Sequence, residues 1–517
     1  MDLADLLDKL GYSHSPHFLR RGTASLRTAP EFGHVFRKAT SRPCNLEGVY
    51  TLRKNPESKT EPLVPVVYVC HTDSEQAAGR VHELVWNQDV VPFVLVHSPH
   101  GIRLYSGFRC QPQKDDLERG VLKGLTQFNA IAELIESFHA DAIDCGKLWR
   151  DWGKEVTPET RVDTKLLGNL QKLDRWLRDQ GGMKKDVSHA LIGKYVYLHY
   201  LRDRKILSPE RLAEWQLHES TIFGRTATRE GLRAVTERLD GWLNGSVFPL
   251  KLRGRDAPEE QLIQSVAGVF AGEEIVGVGD RQLCFDFKLY DFSYIPIETL
   301  SVIYEQFLHL PIAGGGKTKG EDAAAYYTPI PVVNFMLSEM DEKLPLKRGM
   351  KIFDPACGSG AFLVQSYRRL IEREFPNTKK KPTPHQLRDL LEEHIFGVDN
   401  DDDACRVTEL SLILTLLDYT DPPDLMPTSA SSGESDFKLP TLGETNIFQT
   451  NFFQPSKAAK AMLANSKFDW IVGNPPWKDL DPSKLIDQDK PVWKWMSDAE
   501  NKKSRPCGDN EVAQAFA

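Results

Sequence analysis

What this sequence lacks narrows it first. Its eight cysteines are scattered, with no C-x-x-C pair, which argues against a zinc site or a disulfide framework and fits a reducing cytoplasm. The start, MDLADLLDKLGY, carries acids and no long apolar run, so it does not read as a secretory signal. The longest apolar runs, such as VVPFVLV at 90–96, are far short of a membrane span. There is no excess of positive charge: 65 basic residues stand against 73 acidic ones, a net charge of −8. A chain that lives on nucleic acid often shows a basic face, so any such surface here is expected to be a local patch. A phosphate loop is missing too. Gly316-Lys317-Thr318 has its last three letters, but position 311 is Pro where a glycine is required, and a helix rather than a strand precedes it.

What is present begins with ordinary globular composition, 40% hydrophobic and 27% charged over 517 residues, enough for two to four domains. Residues 1–118 are expected to form an α/β unit. Val64 to Cys70 reads as a strand, Ser74 to Gln88 as a helix and Val90 to His97 as a second strand. Pro99-His100-Gly101 then turns the chain into Ile102–Tyr105. The pattern is nuclease-like. A metal nuclease needs an acid followed by acid-x-Lys on the next strand. No such pair falls on these strands, and Glu57-Ser58-Lys59 lies in a polar loop, so the unit is expected to be non-catalytic.

Residues 119–310 read as mainly helical. In LIGKYVYLHYLRDRKIL (191–207), Tyr195, Tyr197, His199 and Tyr200 are expected in the core rather than in a binding box. Residues 311–325 are a Gly/Lys-rich linker, and 326–517 carry the chemistry. PNTKKKPTPH (376–385) and DPPDLMPTSASSGESDFKLP (421–440) read as surface excursions.

MKIFDPACGSGAFLVQSYRRLIEREF (350–375) is strand, tight turn, helix, with Gly358 and Gly360 in the turn. A Gly-x-Gly turn there lets backbone approach a nucleotide-like cofactor. The dinucleotide fingerprint is not met, because position 363 is Leu. Asp354, at the strand end, could take a cationic or amino group of the ligand. HIFGVDND (394–401) is the next strand and ends in Asp399, where α/β nucleotide folds hold ribose hydroxyls. FDWIVGNPPW (468–477) is an apolar strand that ends abruptly in Gly-Asn-Pro-Pro-Trp. Pro475 and Pro476 fix the turn and donate no N–H. The carbonyls of Asn474 and Pro475, with the Asn474 amide oxygen, can therefore accept both hydrogens of an exocyclic amino group. Trp477 offers a ring on which a base could stack.

Asp354-Pro355-Ala356-Cys357-Gly358-Ser359-Gly360 followed by Asn474-Pro475-Pro476-Trp477 resembles the DNA N6-adenine methyltransferases, and the order of the two motifs resembles their gamma group. Tyr326-Tyr327-Thr328-Pro329 looks like the motif that precedes the cofactor loop. Ile303 to Leu308 and LNGSVFPL (243–250) resemble the helical region of Eco57I-like or type IIG restriction–modification methylases and their phage-defence relatives. The resemblance implies a doubly wound, Rossmann-like α/β domain that binds S-adenosylmethionine. It implies that Tyr327, Thr328 and Pro329 border the methionine end, that Ala356, Gly358 and Gly360 approach through backbone, that Asp354 faces the amino acid moiety and that Asp399 holds the ribose. The family often has an acid near the third strand for the cofactor's adenine. Asn451 is the candidate here, with Asn446 its rival. The implied substrate is double-stranded DNA with a flipped adenine, its amino group held by Asn474 and Pro475 and its ring by Trp477. Other readings are a methylase of protein glutamine or RNA adenine, or a DNA- or partner-binding subunit, of a defence system among others, that binds cofactor without turnover. About four strands are countable by Val472 where such a fold uses about seven, so the sequence reads as the first part of the catalytic domain.

Overall fold

The computed structural model describes residues 2–22, 32–53, 63–122, 131–243, 248–255, 257–276, 282–283, 285–308, 328–376, 381–425, 437–505 and 507–516. Tyr327, Gly316-Lys317-Thr318 and Glu57-Ser58-Lys59 lie outside these residues.

The first sheet has five strands in sequential order: β1 (Phe18–Arg20), β2 (Leu46–Leu52), β3 (Val64–His71), β4 (Phe93–Ser98) and β5 (Gly101–Ser106). Only β3 and β4 are parallel, and the helix Glu75–Gln88 makes the crossover between them. The strand–helix–strand–hairpin expectation holds to within three residues at every boundary. β1 and β2 were not anticipated. They pair antiparallel with each other, and β2 pairs antiparallel with β3. β4 is buried at every residue, so it reads in sequence as a continuous apolar run rather than an alternation.

The middle of the chain is helical, with one small ribbon, β6 (Ile275–Val276) against β7 (Gln282–Leu283). Tyr195, Tyr197, His199 and Tyr200 are all buried on the helix Lys185–Asp203, as core residues. The helices Val162–Asp179, Lys185–Asp203 and Ile297–Leu308 share one continuous apolar core with the second sheet. Among the described residues, no helix is long and apolar enough to cross a membrane.

That second sheet positions the candidate site. Its strands are β8 (Ile352–Asp354), β9 (Ile395–Asp399), β10 (Ile447–Gln449) and β11 (Trp470–Ile471), in the order β10-β9-β8-β11, all parallel. Side chains alternate between faces along a strand, and the core divides accordingly. Ile352, Ile395 and Ile447 pack into the large core with Phe362, Leu363 and Leu387, beneath the helices Ala361–Glu374, Pro384–His394 and Asp402–Asp418. Phe353, Phe396 and Phe448 point the other way, to Ala459 and Met462 of the helix Lys457–Asn465. Helices thus cover both faces, as a parallel sheet requires.

Two expectations are corrected. The strand expected over Phe468 to Val472 is shorter, and it is not buried throughout. Trp470 and Val472 are buried, but Ile471 is 61% exposed, because β11 pairs with β8 alone among the described residues. The expected excursion at 421–440 is anchored at both ends of its described part: Leu425, Phe437 and Leu439 are buried, and the Arg211 guanidinium donates to the Leu425 carbonyl at 3.2 Å.

Candidate functional site

Four parallel strands end on the same side, so their terminal residues gather along one edge. β8 ends in Asp354. Burial, and secondarily the charge of Asp399, push its carboxyl up to about 8, while one hydrogen bond from the Ala356 N–H at 3.0 Å pulls the other way. The chain then turns at Gly358 (φ 53°) and Gly360 (φ 83°), left-handed conformations that suit glycine. A Cβ on Gly360 would lie 2.9 Å from the Thr408 hydroxyl, so the loop is pressed against the helix Asp402–Asp418. Thr408 donates to the Gly358 carbonyl at 2.7 Å.

β9 ends in Asp399, whose two oxygens accept from the Gly358 N–H at 2.8 Å and the Asp401 N–H at 2.9 Å. Burial raises its carboxyl despite these bonds. Asp401 in turn accepts from the Asp403 N–H at 2.9 Å and caps the helix behind it. The structure therefore brings Asp354, Ala356, Gly358, Gly360 and Asp399 into one connected loop system.

β11 delivers the second loop. Val472 N–H bonds the Phe353 carbonyl at 2.9 Å, which sets Gly473 beside Asp354. A Cβ on Gly473 would stand only 2.5 Å from the Asp354 Oδ1. The glycine is what lets the Asn-Pro-Pro-Trp turn and the Asp-Pro-Ala-Cys-Gly-Ser-Gly loop touch. Asn474, Pro475 and Pro476 are half-buried and Trp477 is 58% exposed. The Trp477 indole N–H donates to the Asn474 amide oxygen at 2.6 Å. Beyond the tryptophan the chain is fixed again: the Lys478 ammonium pairs with Asp489 at 2.7 Å, and the Lys478 carbonyl accepts from the Val512 N–H at 2.9 Å.

The remaining expected residues differ in their surroundings. Thr328 and Pro329 lead into the helix Ile330–Lys343, with Pro329 as its N-cap. Arg369 bonds the Asn334 carbonyl and the Ser338 hydroxyl, each at 3.1 Å, and docks that helix on Ala361–Glu374. Asn451 spends its amide on structure: its oxygen accepts from the Phe453 N–H at 3.0 Å and its nitrogen donates to the Gln488 carbonyl at 3.1 Å. Asn446 is buried and donates to the carbonyls of Glu392 and Ile395, at 2.9 and 2.8 Å, stitching β10 to the end of the helix Pro384–His394.

Sequence reasoning missed four contributors. Gly473 had a signal, a glycine where an apolar strand meets a polar turn. Thr408 had none, since it sits in an unremarkable helix far along the chain. Cys357 and Cys405 are buried near one another, and a hydrogen bond with Cys405, then burial, push the Cys357 thiol up. A thiol held protonated is a poor nucleophile.

Residues 296–505 match the family described as N-6 DNA Methylase. The chain is similar to the Escherichia coli type II restriction enzyme and methyltransferase RM.Eco57I, with 27% identity over 234 residues, 38% of this chain and 23% of that protein. It is similar to the type I restriction enzyme MjaIX methylase subunit of Methanocaldococcus jannaschii, with 28% identity over 177 residues, 34% of this chain and 22% of that one. Each match thus spans less than a quarter of the relative's own length. Among solved structures, the type IIG restriction endonuclease BpuSI aligns with a TM-score of 0.36 and 12% identity, over 95% of this chain and 49% of that one. The residues matched, 296–505, include both loops, Asp354 to Gly360 and Asn474 to Trp477.

Proposed function

We propose that this chain methylates the N6 amino group of adenine in double-stranded DNA, as part of a bacterial restriction–modification or phage-defence system. The observation that carries the reading is the contact between Gly473 and Asp354, which sets the acceptor turn against the glycine loop. In this reading the domain is a doubly wound, Rossmann-like unit beginning at residue 326, preceded by the α/β unit 1–118, the helical segment 119–310 and the linker 311–325.

The residues at the strand ends fit S-adenosylmethionine. Asp354 is a buried carboxylate held up to about 8. It suits the ammonium of a methionine moiety, because an adjacent cation would restore its charge. Gly358 and Gly360 present backbone with no side chain in the way, and Asp399 keeps acceptor capacity for ribose hydroxyls beyond its two backbone bonds. Thr328, Pro329 and Ala356 border the methionine end. Asn451, whose amide oxygen has a second lone pair beyond its bond from the Phe453 N–H, is the candidate for the cofactor's adenine. When bound, S-adenosylmethionine supplies an electrophilic methyl group.

The chain's own residues do the rest. The Asn474 and Pro475 oxygens accept the two hydrogens of the target amino group and turn its lone pair toward the methyl. Acceptors fixed in advance by Pro475 and Pro476 need little reorganisation as charge develops. Trp477 stacks on the extruded base, a contact worth about 1–3 kcal/mol. No residue has to form a covalent bond.

The test is transfer of labelled methyl from S-adenosylmethionine to mixed-sequence duplex DNA, with RNA and a glutamine-containing peptide as competitors. Incorporation into DNA adenine by the wild-type chain, lost in Asn474→Ala, is the expected result. Incorporation into RNA or peptide instead, or none at all with the cofactor bound, sinks the reading.

A further inference from the structure

The Asn474 amide oxygen is the atom that the proposed reaction needs for the substrate's amino group, and it already accepts a hydrogen bond. The donor is the indole N–H of Trp477, at 2.6 Å. This is the same side chain whose ring is expected to stack on the base. A tryptophan that is 58% exposed could satisfy its N–H with water, yet it donates to this oxygen.

The backbone around the pair is immobilised on both sides. Gly473 is pressed against Asp354, two prolines fix the turn, and Lys478 is tied to Asp489 and Val512. The acceptor oxygen therefore cannot withdraw by loop movement. What can change is the side chains, and of the two Trp477 is the exposed one, with open solvent beside it, while Asn474 is half-buried.

We propose that Trp477 is a latch: its indole N–H occupies the Asn474 oxygen until the amino group of a substrate displaces it. The inference rests on the function proposed above and deepens it. It makes the site selective for a planar ring that carries an N–H donor, because only a donor can replace the indole at that oxygen. A ring without an amino group could stack on the tryptophan but would leave the latch closed. Phenylalanine at this position keeps the aromatic face and cannot donate.

Two measurements on the full chain test this. In spectra of the labelled indole N–H groups, one of the ten tryptophan resonances is assigned to Trp477 by its disappearance in Trp477→Phe. It is expected to exchange slowly with solvent, and to exchange fast in Asn474→Ala while the other indole signals stay in place. Equal fast exchange in both proteins overturns the latch. The second measurement compares binding to mixed-sequence oligonucleotides containing either adenine or purine, which lacks the 6-amino group. Trp477→Phe is expected to raise the adenine-to-purine affinity ratio by about two- to tenfold, the equivalent of one neutral hydrogen bond no longer competed for. A uniform loss on both oligonucleotides means that only the ring matters, and overturns the latch. Absence of methyl transfer by the wild-type chain to any nucleic acid overturns the function on which the latch rests, and is read in a separate assay.

Discussion

A carboxylate buried as deeply as Asp354 needs a reason to stay charged, and among the described contacts one N–H bond from Ala356 is what it has. Its raised value of about 8 has a definite sign in the energetics. Between the unfolded value near 4 and the folded one, the native chain holds a proton that the unfolded chain has released. Stability without ligand should therefore fall as the pH rises from about 5 to 8, and Asp354→Asn should flatten that slope. Melting temperature followed across this range checks it. A bound ammonium would reverse the preference. Calorimetry at pH 7 in two buffers of different ionisation enthalpy should then show proton release on cofactor binding, absent in Asp354→Asn. A slope that persists in the variant would assign the effect to another group.

The element that organises the site is the helix Asp402–Asp418 rather than a strand. Its first turn is capped by Asp401 beside Asp399, and its Thr408 holds the Gly358 carbonyl against it. Removing that hydroxyl with Thr408→Val should cost about 0.5–1.5 kcal/mol of stability and weaken S-adenosylmethionine binding. Thr408→Ser should retain most of both. Thermal unfolding and a binding isotherm for each variant decide whether the hydroxyl or the methyl holds the loop.

The same element shows what could be read in advance. Its apolar residues and N-terminal acids are local signals that the sequence carries. So are the strand ends at Asp354 and Asp399, where a short apolar run meets a polar turn. The bond from Thr408 to Gly358 was not legible, because no local pattern records which helix face meets a distant loop. Nor was the commitment of Asn451 and Asn446 to backbone carbonyls, since an asparagine looks the same in sequence whether its amide faces a ligand or a neighbouring strand. β1 and β2 escaped notice for a related reason: their pairing is set by partners elsewhere in the chain.

At the scale of the molecule, the far end of that helix enters a buried charge cluster. Asp418 meets Lys38 at 2.5 Å, Arg368 at 3.4 Å and Arg204 at 4.0 Å, and Arg368 also pairs with Glu298 at 3.2 Å, which faces His34 at 3.4 Å. His34 and Lys38 come from the helix Gly33–Thr40, Arg204 from the residue after Lys185–Asp203 and Arg368 from Ala361–Glu374. Although burial pushes the Asp418 carboxyl up, Lys38, Arg204 and Arg368 hold it well below the ordinary range. Its contribution is therefore intact above the unfolded value near 4 and fades as the pH falls below it. Asp418→Asn leaves the buried Arg368 and the partly buried Lys38 and Arg204 short of a counter-charge and should destabilise the chain by about 3–5 kcal/mol. Denaturant unfolding should show this loss, and Asp487→Asn at an exposed pair with Lys490 should leave the midpoint where it was.

The contact between Gly473 and Asp354 makes two distant stretches of the chain share a boundary narrower than a methyl group. Any side chain at 473 would have to push the Asp354 carboxylate aside, so a disturbance on either loop is felt on the other.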